Sequence, residues 1–311
     1  MRISVIIPAY RAAATLLRAV ESLLETRYPS LEILIVVDGA VDETESIALG
    51  LADTYPNHVV VYTHAGRARK GVSATRNLGI QKCAGELICF LDADDIVLPN
   101  RYEEAVSLLR ADSALDGVYG STRVEPDPNG PPGDWQAASM MGLPAQAHPE
   151  DVLDHLLSGA LWHTSGILCR AGFFQVCGLF DEDLAVAEDC HLWFRMACAG
   201  RLAGLDCDQP VSVYYRRAGT AFQPGLERKL DMMIAMTRFV TWMKHHSVDV
   251  AKRRSATQKV ETYGIAAMSL ARENGSVDLA RRLGLCVLRA MPGIARRRDF
   301  RVQMVCTMLG R

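Results

Sequence analysis

The sequence predicts an α/β protein with a mainly parallel central sheet flanked by helices, continued by an all-helical C-terminal stretch. Three observations lead there. Short strand-like runs alternate strictly with helically spaced segments through the first third of the chain, and one run, residues 87–91, is apolar throughout, as a strand buried on both faces is. From residue 226 onward only helical spacing remains. A chain of 311 residues with 49% hydrophobic content has enough apolar mass to bury a full core.

Residues 3–7 (Ile-Ser-Val-Ile-Ile) read as the first strand, stopped by Pro8, and residues 12–25 as a helix through Leu16, Ala19, Val20, Leu23 and Leu24. A second strand spans 31–37. Asp42 with Glu45 three residues later has the form of a capping box opening a helix over about 43–54, and 59–62 is a third strand. Residues 71–82 form a helix and 86–91 a strand. Such alternation builds right-handed βαβ units. A helix follows over 99–111 with Pro99 in its first turn, then a strand over 117–122. Residues 124–148 hold five prolines and three glycines and read as one long loop. Beyond it a helix from about 150, a strand over 166–169, a helix over 189–199 and a strand over 211–215 are expected. Residues 226–245 open the helical stretch, and two further amphipathic segments are broken near Gly275 and Pro292.

Composition narrows the function classes. No run of about 18 to 20 uncharged apolar residues is present, and residue 3 already begins strand sequence, which points to a cytoplasmic protein. Nine cysteines without a C-x-x-C pair suggest reduced thiols rather than disulfides or zinc. A formal net charge of −2 argues against nucleic acid as a partner. Charge is uneven, however: from Arg281 onward eight arginines face a single acid, Asp299, a net of +7.

The residues that carry chemistry gather at the expected carboxyl ends of strands, where open α/β sheets bind ligands. The run 85–95 ends in Asp92, Ala93, Asp94 and Asp95. Three carboxylates so close repel one another unless a cation sits among them, and a divalent ion holding phosphate oxygens is such a cation. An acidic turn capping the next helix is the plainer reading. Pro8, Ala9, Tyr10 and Arg11 end the first strand, where Tyr10 either stacks on a nucleobase or is an ordinary half-buried aromatic. Asp38 before Gly39 ends the second, as an acceptor for a base N–H or as a turn residue. Small residues at the start of the 71–82 helix allow close approach, and Arg76 suits phosphate. Glu188 and Asp189 open a later helix, where the macrodipole accounts for one acid and leaves the other for chemistry. His155, His163 and the His245-His246 pair lack the spacing of metal ligands.

In order along the chain, residues 4–11 (Ser-Val-Ile-Ile-Pro-Ala-Tyr-Arg), 36–44 (Val-Val-Asp-Gly-Ala-Val-Asp-Glu-Thr), 71–79 (Gly-Val-Ser-Ala-Thr-Arg-Asn-Leu-Gly), 90–95 (Phe-Leu-Asp-Ala-Asp-Asp), 164–170 (Thr-Ser-Gly-Ile-Leu-Cys-Arg), 178–182 (Gly-Leu-Phe-Asp-Glu) and 187–193 (Ala-Glu-Asp-Cys-His-Leu-Trp) resemble the motifs of family 2 glycosyltransferases with the GT-A fold. The resemblance implies an inverting transfer of a sugar from a nucleoside-diphosphate sugar, most often of uridine, to an acceptor hydroxyl, as in glycan biosynthesis. A non-catalytic relative that binds a nucleotide sugar or a protein is the alternative. It implies that Pro8, Ala9, Tyr10, Asp38, Arg76, Asp92 and Ala93 bind the donor nucleotide, and that Asp94 ligates Mn²⁺ or Mg²⁺. Asp189 matches the general base, with Glu188, His191, Trp193 and Thr164 on the acceptor side. It also implies a GT-A domain over 1–224, with a nucleotide-sugar half (1–114) and an acceptor half (115–224), and a helical extension over 225–311.

Three positions depart from the family pattern. Val37 replaces the first of two acids, His191 stands where an Asp is common, and Ala218 replaces a histidine after Tyr215-Arg216-Arg217, so Arg216 or Arg217 would meet the diphosphate. The arginine-rich residues 290–311 read as a basic amphipathic segment for peripheral contact with an anionic membrane at its inner face, or as an oligomer contact.

Overall fold

The computed structural model describes residues 1–39, 41–128, 139–143, 147–216 and 226–309. In chain order the elements are β1 (Ile3–Ala9), α1 (Leu16–Glu25), β2 (Leu31–Val37), α2 (Thr44–Thr54), β3 (Val59–Thr63), α3 (Val72–Lys82), β4 (Leu87–Phe90), β5 (Ile96–Val97), α4 (Glu103–Ala111), β6 (Gly117–Tyr119), β7 (Thr122–Pro126), β8 (Ser139–Met141), α5 (Val152–Leu157), β9 (Ile167–Arg170), α6 (Phe174–Cys177), α7 (Glu188–Ala199), β10 (Leu202–Gly204) and β11 (Ser212–Arg216). Four helices complete the chain: α8 (Glu227–His245), α9 (Val250–Glu273), α10 (Val277–Ala290) and α11 (Arg298–Met308).

Seven strands form the central sheet in the order β10-β6-β9-β4-β1-β2-β3, parallel except for β9, which runs against both β4 and β6. The alternating faces of β1 explain the two-sided core. Ile3, Val5 and Ile7 pack with Leu16, Val20 and Leu23 of α1 and Val106 and Leu109 of α4, whereas Ile6 faces the opposite layer with Phe90 and Phe194. Helix α3 lies tight on that second face. A Cβ on Gly79 would come within 2.4 Å of Ile6 Cγ2, so this glycine is what lets helix and strand touch.

A second sheet, β5-β11-β7-β8, was not separable in the sequence. The single strand expected over 117–122 is two strands in two sheets. At Gly120 the chain donates its N–H to Gly166 O (2.9 Å) and leaves the first sheet, and a Cβ there would meet Val211 at 2.7 Å. Periodicity records which residues are buried, but not which sheet buries them. Two helices also start later than expected, at Leu16 and Glu103, because residues 12–15 and 98–101 form turns first. The box at Asp42 is half made: Asp42 Oδ1 accepts the Thr44 N–H (3.1 Å), while Glu45 pairs with Arg67 (3.1 Å). All nine cysteines are free thiols.

The C-terminal helices share a core with the sheet. Phe239 of α8 packs on Phe194 of α7 at 5.6 Å, and Met233, Leu283 and Phe300 belong to the same apolar cluster as Ile6 and Phe90. The expected boundary at residue 224, Arg217, Ala218 and the loop prolines 131, 132 and 144 all lie outside the described residues. Among the described residues no helix is long and apolar enough to cross a membrane.

Candidate active site

The carboxyl ends of β1, β2 and β4 open into one cleft of about 1460 Å³, whose far wall is made by α7, α8 and α9. Pro8, Ala9, Tyr10, Asp38, Arg76, Asp92, Ala93 and Asp94 all line it, as do Thr164, Glu188, Asp189 and Arg216 from the second half of the chain. Sequence motifs about a hundred residues apart thus meet in one place.

On the β1–β2 side, the Tyr10 ring carries the Arg69 guanidinium at 4.1 Å, with Arg11 at 5.4 Å. Arg69 was not singled out in the sequence, because nothing in its spacing ties it to Tyr10. Asp38 is 4% exposed, and both its oxygens accept backbone N–H groups, from Lys70 (2.6 Å) and Gly71 (3.0 Å). Its carboxylate therefore holds the turn that starts α3. Gly71 is itself left-handed, with φ of 91°.

The acidic turn after β4 is fixed from three directions. Arg76 Nη2 donates to Asp92 Oδ1 (2.7 Å), the Tyr215 N–H donates to Asp95 Oδ1 (3.0 Å), and Arg18 Nη2 donates to the Asp94 carbonyl (2.8 Å) while lying over the Tyr215 ring. His163, set aside at the sequence level, lies here: Nε2 is 3.8 Å from Asp92 Oδ2 and 3.6 Å from Asp95 Oδ2, and the ring stacks on Tyr214. Asp92, Asp95 and His163 offer ligand atoms within 4.8 Å of one another; the carboxylate oxygens suit either Mn²⁺ or Mg²⁺, the imidazole suits Mn²⁺ better than the harder Mg²⁺, and Asp94 is not one of the three. The Ser165 N–H donates to Nδ1 (3.4 Å), which leaves the ring proton on Nε2. Ligation by Nε2 requires the other tautomer, with Nδ1–H donating to Ser165 Oγ (3.2 Å). Burial lowers the His163 pKa against the pull of Asp92, which keeps the ring neutral and able to ligate.

Arg76 lines the cleft on the nucleotide side, as expected, and is also held by two acids. It is 3% exposed, and its second amino group donates to Glu188 Oε1 (2.8 Å), so one guanidinium bridges the turn after β4 to the start of α7. Burial opposes its charge, but Asp92 and Glu188 together hold its pKa above the ordinary value. Burial lifts the Glu188 carboxyl and the adjacent Asp189 lifts it further. Asp92 is lowered, because Arg76 and then His163 outweigh its burial. Of the paired acids, Glu188 is thus engaged with Arg76, while Asp189 lines the cleft with Oδ1 on the Cys190 N–H (2.7 Å). Ala187 enters this helix left-handed, with φ of 59°, a conformation that costs an alanine roughly 1 kcal/mol and turns the two acids into the cleft.

Two acceptor-side candidates lie elsewhere. Only the first turn of α7 reaches the cleft, and residues 190–197 are buried all round. Trp193 is in the core against Trp162 (5.6 Å) and Phe180 (6.3 Å). His191 is 5% exposed, and neither ring nitrogen has a hydrogen-bond partner among the described residues. Burial, then Arg195, push its pKa down to about 3. A histidine depressed in the fold lends stability that is complete above its unfolded pKa and is lost as pH falls. Between pH 7 and 4 the loss from this one residue is about 3 kcal/mol, since protonation favours the unfolded chain below ~6.5. Urea titrations of His191→Leu should show a pH 7-to-4 decline smaller than the wild type's by that amount. An equal decline would remove His191 as the cause.

The family description "Glycosyl transferase family 2" matches residues 4–161. A Rickettsia felis protein, "Uncharacterized glycosyltransferase", is 30% identical over 222 residues, 69% of this chain and 34% of that protein; the chain therefore spans about a third of that relative's length. Among solved structures, S. aureus TarS 1–349 in complex with UDP-GlcNAc aligns over 100% of this chain and 93% of its own, with a TM-score of 0.68 and 18% identity. The mannosyltransferase PcManGT from Pyrobaculum calidifontis, in complex with GDP-Man and Mn²⁺, aligns over 99% and 84%, with a TM-score of 0.56 and 18% identity. At such identities these structures share the fold with this chain.

Proposed function

This chain belongs to glycosyl transferase family 2, and on that premise we propose that it transfers a sugar from a UDP-sugar to an acceptor hydroxyl with inversion at the anomeric carbon. The observation that carries the reading is the meeting of Asp92, Asp94 and Asp189 in one cleft at the carboxyl ends of parallel strands. Tyr10 offers the nucleobase a ring face, Pro8, Ala9 and Ala93 give close backbone approach, and Asp38 keeps the 69–71 turn against the base site. Arg216 stands on the diphosphate side. Asp189 takes the proton from the acceptor hydroxyl as that oxygen attacks, and the nucleoside diphosphate leaves on the opposite face. Mn²⁺ or Mg²⁺ would be held by Asp94, with the cluster of Asp92, Asp95 and His163 offering further ligands. Such an ion would neutralise charge growing on the leaving diphosphate. Thr164 lies between the two halves at the start of the turn that carries His163.

Calorimetric titration with UDP, GDP and dTDP, with and without Mn²⁺, tests this reading. UDP binding is expected to require the ion and to fall at least tenfold in Asp94→Ala. Failure of every nucleotide to bind under every condition would favour a non-catalytic family member instead.

A membrane role for the arginine-rich end has a specific support. On α11, Val302, Val305 and Met308, with Leu309 just past its end, are exposed beside exposed Arg298 and Arg301, which makes an apolar stripe with cations at one end. Arg297 is occupied differently, by Asp299 (2.6 Å) and Glu261 (3.3 Å). The triple variant Arg298→Glu, Arg301→Glu, Val305→Asp should abolish co-sedimentation with phosphatidylglycerol vesicles; unchanged sedimentation would end the membrane proposal.

A further inference from the structure

The turn that carries Asp92, Asp94 and Asp95 is gripped from behind by a helix that does not itself line the cleft. Helix α1 packs Leu16, Ala19, Val20 and Leu23 into the core, and that stripe accounts for its apolar face. Arg18 and Ser22 stand one turn apart on another line of the same helix. Arg18 Nη2 donates to the Asp94 carbonyl (2.8 Å), and Ser22 Oγ accepts the Val97 N–H (3.1 Å). Two side chains of α1 thus hold both ends of residues 94–97.

Arg18 reaches further than this one hydrogen bond. Its guanidinium lies 4.3 Å from the centre of the Tyr215 ring, and Nη1 donates to Oδ1 of the buried Asp127 carboxylate (3.4 Å). Strand alternation explains the meeting with Tyr215. Tyr214 and Arg216 of β11 line the cleft, so Tyr215 between them points to the opposite face, where Arg18 meets it. The Asp127 N–H in turn donates to the Arg216 carbonyl (3.0 Å), and the Tyr215 N–H to Asp95 Oδ1 (3.0 Å). One guanidinium therefore joins the turn after β4 to the end of the strand that carries Arg216 into the cleft.

The consequence is geometric. Fixing the Asp94 carbonyl fixes the peptide plane beside its Cα, and with it the direction in which the carboxylate leaves the backbone. A divalent ion takes oxygen ligands only within a narrow range of distance and angle, so a carboxylate that is to ligate one gains from such a brace. A bare cation so near would oppose the ion, but the Asp127 carboxylate answers the charge of Arg18.

We propose that Arg18 is a positioning residue, which aims the Asp94 carboxylate for Mn²⁺ or Mg²⁺ and, through Tyr215 and Asp127, sets its spacing from Arg216 on the diphosphate side. The inference rests on the donor reading above and adds to it a residue that lies outside the cleft.

The test is calorimetric titration of the full chain with UDP at saturating Mn²⁺, beside ligand-observed NMR with uridine, which has no diphosphate for an ion to hold. Arg18→Met is expected to weaken UDP binding by about ten- to a hundredfold and to raise the Mn²⁺ concentration needed for half-maximal UDP binding, while uridine affinity stays within about twofold of wild type. Arg18→Lys keeps a cation and a donor and should fall between the two. Tyr215→Leu removes the ring under the guanidinium but keeps the backbone N–H on Asp95, and should cost UDP about threefold, again with uridine unchanged. Thermal melts report the folding of each variant. Unchanged UDP affinity in Arg18→Met would overturn the proposal, as would equal losses of UDP and uridine, which would show that Arg18 only supports the fold. Both outcomes leave the donor reading intact, whereas wild-type UDP binding that ignores Mn²⁺ would remove the ion-dependent reading and the proposal with it.

Discussion

Asp189→Asn should lower turnover by about 10² to 10⁴ while the UDP affinity stays within about twofold of wild type. The asymmetry follows from where the residue stands. Glu188 is tied to Arg76, and Arg76 to Asp92, so the structural charge at the start of α7 is carried without Asp189. The Asn side chain keeps an oxygen for the Cys190 N–H, so the helix start is retained. What is lost is the ability to accept a proton, and a lost general base is worth roughly 3 to 5 kcal/mol of barrier. Single-turnover assays with saturating donor read the chemical step, and calorimetry with UDP reads binding. Equal losses in both would mean that Asp189 supports the donor site rather than the proton transfer. Glu188→Gln should leave stability close to wild type, because burial and Asp189 already favour the neutral side chain and the amide oxygen can still accept from Arg76.

The order of strands and helices through β4 was readable from the sequence because each element there is long and carries its own period. Legibility failed where the deciding partner is remote. Gly120 turns the chain from one sheet to the other through contacts with Gly166 and Val211, and no local pattern carries that information. That Tyr10, Asp38, Asp92 and Asp94 share one edge of the sheet was legible, since they follow strands whose ends are visible in the sequence. His163 was set aside for want of spacing, yet it reaches Asp92 through a turn between α5 and β9. Trp193 and His191 erred the other way: they neighbour Asp189 in sequence, but the helix turns them into the core. The helical extension after residue 226 also contributes Arg228, Met232 and Tyr263 to the lining of the cleft. An amphipathic helix shows that it covers something, not what it covers.

Arg76→Met should destabilise the protein by about 3 to 5 kcal/mol, measured by urea titration at pH 7, and should remove activity with it. The reason is the pair of carboxylates left behind. Asp92 and Glu188 face a guanidinium whose side chain is 4% exposed, and methionine fills its space without answering either charge. The pH dependence has a defined sign for each. Asp92 is depressed in the fold, so it stabilises above its unfolded pKa and that contribution is lost as pH falls through the folded value. Glu188 is raised by burial and by Asp189, so its effect runs the other way: the fold prefers it protonated, and stability declines as pH rises through its folded value. Without Arg76 both carboxyls rise, and the variant should recover part of its deficit between pH 7 and 5 as they take up protons. Arg76→Met combined with Glu188→Gln should recover stability at pH 7 as well, because one buried charge is gone, but not activity, since the turn after β4 remains untethered from α7. A deficit that is flat from pH 7 to 5 and indifferent to Glu188→Gln would show that Arg76 acts through packing, for instance on the Phe180 ring 5.2 Å away, rather than as the charge that joins the two halves of the site.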